Sequence, residues 1–187
     1  GFENHGQLTG GTRAVGKVGQ GLSCGDAGGA TIPHSPTLDA FPTGFTFSAW
    51  IHPTSYPDFI TIFWKTDRHN LIHQLHFQVD GRLHAAMNTP ANQGGFGAIG
   101  PNTVALNEWQ YVAWTYDGTT MRFYDDGAEV ATKGVELEVF TSHESLIWDG
   151  TQGSSPCLRI SAIIKVIQGD STRVISAMEV ATREVNA

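Results

Sequence analysis

Between residues 44 and 131 the chain repeats one short phrase: an apolar or aromatic run, a turn rich in Asp, Gly or Pro, then another run, with no helical periodicity between them. The phrases are Phe45-Thr-Phe-Ser-Ala-Trp-Ile-His-Pro53, Gln74-Leu-His-Phe-Gln-Val-Asp-Gly-Arg-Leu83, Trp109-Gln-Tyr-Val-Ala-Trp-Thr-Tyr-Asp-Gly118 and Met121-Arg-Phe-Tyr-Asp-Asp-Gly-Ala-Glu-Val130. Short alternating runs closed by such turns are strands of antiparallel hairpins, and several in succession predict an all-β sandwich. Asp125-Asp126-Gly127 reads as one of those hairpin turns.

At 187 residues, 40% of them hydrophobic and 16% charged, the chain is long enough to bury one substantial core, so a single domain over residues 1–187 is expected. Its 22 glycines suit many short strands and tight turns. A formal charge of −7 with only 11 Lys and Arg argues against nucleic acid and against an anionic membrane surface, since both partners demand clustered cations. No run approaches the roughly 20 apolar residues needed to span a bilayer, which argues against membrane insertion. No basic and apolar signal segment stands at the start, so the expectation is a soluble chain from which any export signal has been removed. Cys24 and Cys157 permit one disulfide without requiring it. Cys24 follows Leu22 at strand spacing, where a buried thiol can replace an apolar core residue.

Together the four phrases resemble the laminin G-like branch of the concanavalin A-like lectin and glucanase superfamily. The resemblance extends over residues 4–150 and implies a two-sheet antiparallel jelly-roll sandwich that works outside the cell or at its surface. Residues 4–22 look like the family's glycine-rich opening loop leading into a strand at Leu22, and residues 29–39 resemble its edge strand with a proline-marked exit. Relatives usually place an apolar strand and an acidic loop before this point. Here only Gly1, Phe2 and Glu3 precede it, so the sandwich is expected to lack its usual first strand. An open sheet edge invites pairing. Leu158, Ile160, Ala162, Ile164 and Val166 alternate with Arg159, Ser161 and Lys165 and are expected to cover that edge, either in cis or by strand exchange in a homo-oligomer. The family's closing phrase has its nearest match at residues 169–175, with Asp170 and Arg173 as counterparts. The resemblance also implies calcium, held by oxygen ligands from the opening loop and closing strand: Glu3, Asn4, carbonyls near Gly6, and Asp170.

The hairpin around Asp80 and Gly81 yields a candidate ligand face. Leu75, Phe77 and Val79 must share a face with Leu83, Ala85 and Met87 if the core is continuous. Pairing Val79 with Leu83 leaves three turn residues, a length that favours a type I turn with a glycine bulge. The other face then carries Gln74, His76, Gln78, His84 and Asn88, with Gln78 opposite His84 and Gln74 opposite Asn88. These planar groups donate and accept hydrogen bonds, as sugar hydroxyls do. A solvated outer sheet face would also be polar, and both readings stand. Arg68, in the loop of residues 65–70 beside the hairpin, joins the candidate ligand-binding set. Ile60, Ile62 and Trp64 share one strand parity, which favours a buried Trp64 and leaves Phe63 as the exposed alternative. A Trp64 facing outward would instead offer a stacking surface for a sugar, and Tyr56, Tyr111 and Tyr124 are further aromatic candidates. His73 and His76 fall on opposite faces of a strand and cannot share a zinc ion, while His76 and His84 are expected to be diagonal neighbours.

Retaining glucanases of the superfamily resemble one another in carrying Glu-x-Asp-x-x-Glu on one strand. Glu136, Leu137 and Glu138 come nearest, but Thr141 stands where the third carboxylate belongs, so the catalytic set is incomplete. His76, Gln78 and Arg82 echo a polysaccharide lyase grouping without that family's motifs. The expectation is therefore a non-catalytic, extracellular, lectin-like module that binds a glycan or polysaccharide as an accessory or adhesion unit. The alternatives are a protein-interaction or structural laminin G-like module and a glycan-active enzyme.

Overall fold

The computed structural model describes residues 5–24, 28–34, 44–56, 61–66, 71–89, 92–134, 146–149, 158–161, 166–167 and 174–175. In chain order the first eight strands are β1 (Gln7–Thr9), β2 (Thr12–Val15), β3 (Gln20–Cys24), β4 (Gly29–Ile32), β5 (Phe45–Pro53), β6 (Thr61–Thr66), β7 (Leu71–Phe77) and β8 (Arg82–Thr89). The rest are β9 (Asn92–Thr103), β10 (Gln110–Tyr116), β11 (Thr120–Asp125), β12 (Ala128–Gly134), β13 (Leu146–Asp149), β14 (Leu158–Ser161), β15 (Val166–Ile167) and β16 (Val174–Ile175). Two seven-stranded sheets result, sheet I in the order β1-β4-β13-β6-β7-β8-β9 and sheet II in the order β12-β11-β10-β5-β14-β3-β2, and every ladder is antiparallel. No helix among the described residues is long and apolar enough to cross a membrane.

The alternation within each run decides what is buried. On β5, Phe45, Phe47, Ala49 and Ile51 turn inward, and β10 and β11 add Val112, Trp114, Met121 and Phe123. Sheet I answers with Phe63, Leu75, Phe77, Leu83, Ala85 and Met87. The two layers meet in an aromatic stack: Phe63 lies 4.0 Å from Phe47 between ring centroids, and both pack against Trp114 at 5.9 Å. Each such pair adds about 0.5–1.5 kcal/mol beyond the area it buries. Cys24 is part of this core at 2% exposure, as a thiol standing in for an apolar side chain would be, and Cys157 lies outside the described residues.

Asp126 (φ 47°) and Gly127 (φ 86°) make the two-residue β11–β12 turn, and the positive φ at both positions defines the type I′ form that matches strand twist. At the β7–β8 hairpin the expected type I turn with a glycine bulge is present, but it sits one residue earlier. Gly81 N–H donates to the Gln78 carbonyl at 2.8 Å, and Gln78 N–H to that of Arg82 at 2.8 Å. The turn residues are Val79, Asp80 and Gly81, because the last of the three must be left-handed and Gly81 has φ 78°. A turn over residues 80–82 would have put Arg82 there. Pairing therefore runs Phe77 with Leu83 and His76 with His84, and Val79 is 63% exposed at the tip.

Three expectations about the chain's ends are corrected. Residues 4–22 are not one loop, since they contain β1, β2 and the start of β3. The strand at Gly29 is no edge, for β4 lies between β1 and β13. The alternating C-terminal run also divides: β14 ends at Ser161 and sits inside sheet II between β3 and β5, residues 162–165 lie outside the described residues, and β15 pairs with β16. The slot beside β5 is thus filled in cis, within the sheet and not at its edge.

Candidate functional site

The outer face of sheet I is assembled around β7. One row runs across Trp64, Gln74 and Ala86, and a second across Thr61, His76 and His84. Trp64 reaches this face through a β-bulge. Thr61 opposes His76 and Phe63 opposes Leu75, so Ile62 is an extra residue that resets the alternation. Ile62 and Phe63 are both buried, at 0% and 1% exposure, while Trp64 stands half-buried beside Gln74. The parity argument that buried Trp64 and exposed Phe63 fails at that bulge.

His76 is the pivot of the face. It is 3% exposed, and its Nε2 lies 2.9 Å from the Gln78 side-chain nitrogen and 3.1 Å from His84 Nδ1. His76 Nε2 is thus the atom shared by both contacts, its role as donor or acceptor being set by the tautomer. The imidazoles meet edge to face with centroids 4.7 Å apart. Burial pushes the His76 pKa down to about 4, helped by the neighbouring charge on His84, and burial followed by the charge of Lys133 lowers that of His84. Both rings are neutral at pH 7. They are direct cross-strand partners, not diagonal neighbours, and Gln78 is not opposite His84.

Gln74 faces Ala86 and not Asn88, which lies further along β8 near an irregularity in its pairing with β9. Arg82 is tied to the turn: its backbone N–H donates to the Asp80 carboxylate at 3.1 Å and its Nε at 2.7 Å, and the backbone bond first, with the side-chain bond, holds the Asp80 carboxyl below its ordinary range. The Thr103 hydroxyl donates to the Asp80 carbonyl at 3.0 Å and pins the tip to β9. With Arg82 so engaged and His76 buried, His76, Gln78 and Arg82 do not offer a lyase's exposed base and free cation. Of the aromatic candidates, Tyr56 packs against the core 5.6 Å from Phe77, whereas Tyr111 and Tyr124 lie on the outer face of sheet II. Arg68, Glu3, Asn4, Asp170, Glu136 and Glu138 lie outside the described residues. Among the described residues no group of three or more His, Cys, Asp or Glu is placed to hold a metal ion.

Residues 25–157 match the family model Laminin_G_3, described as concanavalin A-like lectin/glucanases superfamily. No curated protein matches the chain in sequence. Among solved structures, the chain is similar to domain 4 of AbnA, a GH43 extracellular arabinanase from Geobacillus stearothermophilus, solved in complex with arabinotriose. The TM-score is 0.61 at 20% identity, covering 83% of this chain and 81% of that one. It is similar also to the binding domain of botulinum neurotoxin DC in complex with rat synaptotagmin II (TM-score 0.69, 15% identity, 87% of this chain and 43% of that one). A structure of botulinum neurotoxin type C, whose cell entry is dependent upon interaction with two ganglioside molecules, matches with TM-score 0.66 and 13% identity over 86% of this chain and 42% of that one. The chain spans less than half of these toxin chains, and at such identities the likeness is one of fold.

Proposed function

The chain belongs to the Laminin_G_3 family of the concanavalin A-like lectin/glucanases superfamily, and we propose that it is a non-catalytic carbohydrate-binding module whose ligand lies on the outer face of sheet I. The observation that carries this reading is the place of Trp64, half-buried on the same face as Gln74, Gln78 and His84. An indole face covers the CH patch of a pyranose. Neutral amides and imidazoles beside it donate to and accept from hydroxyls, and His76 beneath them holds Gln78 and His84 in place so that little ordering remains to be done on binding. Neutral rings suit a neutral glycan. The similar structures add support, since one was solved with arabinotriose and another belongs to a toxin that interacts with gangliosides. The module would act outside the cell or at its surface, as an accessory or adhesion unit, and calcium takes no part in this face.

The test is calorimetric titration with a panel of neutral polysaccharides, comparing the native chain with Trp64→Ala, Gln74→Ala and His84→Ala. Affinity falls in each variant if the face is the site; native affinity in all of them refutes it. A protein-interaction role has one observation in its favour, the exposure of Val15 (83%) and Val18 (60%) around a single hairpin tip. That reading predicts no saturable glycan binding at all.

A further inference from the structure

Sheet II carries a second, chemically different surface. Its inner face is already filled by Phe45, Phe47 and Trp114, and the outer face of an antiparallel sheet is ordinarily polar. Here Trp50 of β5 and Tyr111 of β10 are cross-strand partners on that outer face, half-buried, with centroids 5.3 Å apart. Trp109 stands next to them, its ring edge-to-face with His52 at 5.2 Å. The surface is a cleft of about 480 Å³ lined by Lys17, Trp50, Trp109, Tyr111, Asp126 and Gly127. That volume lies within the usual range for a small-ligand site, about 300–1,000 Å³.

Two hairpin tips border the cleft and bring opposite charges to it. The β2–β3 tip, held by Gly16 N–H donating to the Gly19 carbonyl at 3.0 Å, supplies Lys17, whose Nζ lies 5.3 Å from the Trp50 ring centroid. Among the described residues Lys17 pairs with no carboxylate. The β11–β12 tip supplies Asp126, which is locked to Tyr111 twice: its N–H donates to the Tyr111 carbonyl at 2.7 Å, and its Oδ1 accepts from the Tyr111 N–H at 2.8 Å. Gly127 leaves the space above that end open.

We propose that this cleft is a second saccharide site, specific for a sugar ring that bears a carboxylate. The ring packs its CH face against the Trp109 and Tyr111 lining beside Trp50, whose own face Lys17 covers; its carboxylate meets the Lys17 ammonium, and hydroxyls away from the carboxylate donate to Asp126. A neutral ring would fill the same space but leave the cation without an ionic partner, so charge sets the preference. The site shares no residue with the face of sheet I, and it stands or falls independently of the glycan-binding reading given to that face.

The test follows tryptophan fluorescence while the full chain is titrated with a glucuronic acid trisaccharide and, separately, with its carboxyl-reduced counterpart. The acidic probe binds the native chain more tightly, and Lys17→Gln weakens it about tenfold, the loss expected of one charge-assisted hydrogen bond, without changing affinity for the reduced probe. Trp109→Ala weakens both probes, with an unchanged thermal midpoint showing that the fold survives. Gln74→Ala combined with His84→Ala leaves binding of the acidic probe intact. Equal affinity for the two probes, or acidic-probe binding that is indifferent to Lys17→Gln, overturns the proposal. So does binding that survives Lys17→Gln and disappears with the Gln74 and His84 changes, an outcome that would uphold the sheet I site alone.

Discussion

The two outer faces of one sandwich solve the exposure problem in opposite ways. On sheet I the half-buried groups are Gln74, Gln78 and His84 around one indole, and their geometry is enforced from below by His76, which is buried and neutral. On sheet II the half-buried groups are mostly ring surface, and order comes from hydrogen bonds that lock the Asp126 tip to the Tyr111 backbone. A face that works through hydrogen bonds needs a buried polar support, whereas a face that works through area needs only rigid strands with charges at its ends. The first is sensitive to protonation and hairpin register, the second to the placement of two distant turns.

The largest blow would fall on both faces together. Trp114→Ala removes the ring on which Phe47 and Phe63 pack and is expected to cost about 3–5 kcal/mol in urea unfolding, with loss of both sites. Gly81→Ala separates the faces. The residue has φ 78°, and an added Cβ would stand 2.5 Å from the Tyr56 ring, so a cost of about 1–3 kcal/mol is expected. Glycan binding at sheet I should weaken because Gln78 shifts, while fluorescence titration of the sheet II cleft stays native.

Acidification gives a third contrast. The His76 pKa is lowered from 6.5 to about 4 in the folded chain, so between those values the unfolded chain binds more protons. The contribution of His76 to stability is complete above about pH 6.5 and declines as pH falls toward 4. Chemical denaturation across that window should show the decline, and His76→Gln should flatten it. The smallest effect belongs to Gln74→Ala, which should lower glycan affinity while moving the unfolding free energy by no more than about 0.5 kcal/mol, measured by parallel calorimetry and urea titration.

Much of the architecture is legible in the residues because alternation and turn chemistry agree. The β5, β10 and β11 runs form strands where their alternation and turns place them, and the outward parity of Gln74, His76, Gln78 and His84 follows from the inward one of Leu75 and Phe77. The pairing at the β7–β8 tip was set by hydrophobic continuity through Val79, and the demand for a left-handed residue at the end of the turn outweighs that one apolar side chain. Trp64 could not be placed by parity, because nothing in Thr61-Ile62-Phe63 announces a bulge. The β1–β2 segment hides among glycines and exposed residues, where no apolar alternation exists to be read. Least legible is the sheet II cleft, whose Lys17, Trp50 and Asp126 belong to three separated segments and meet only once the sheet order is known.

The most direct test of the central claim is a glycan-array screen of the purified chain, run once with calcium and once with a chelator. Because the proposed sheet I contacts are amides, a neutral imidazole and an indole, the account predicts binding to neutral glycans that persists on chelation and disappears in the Gln78→Ala, His84→Ala double variant. Silence on neutral glycans in both conditions, or binding abolished by the chelator, would contradict it.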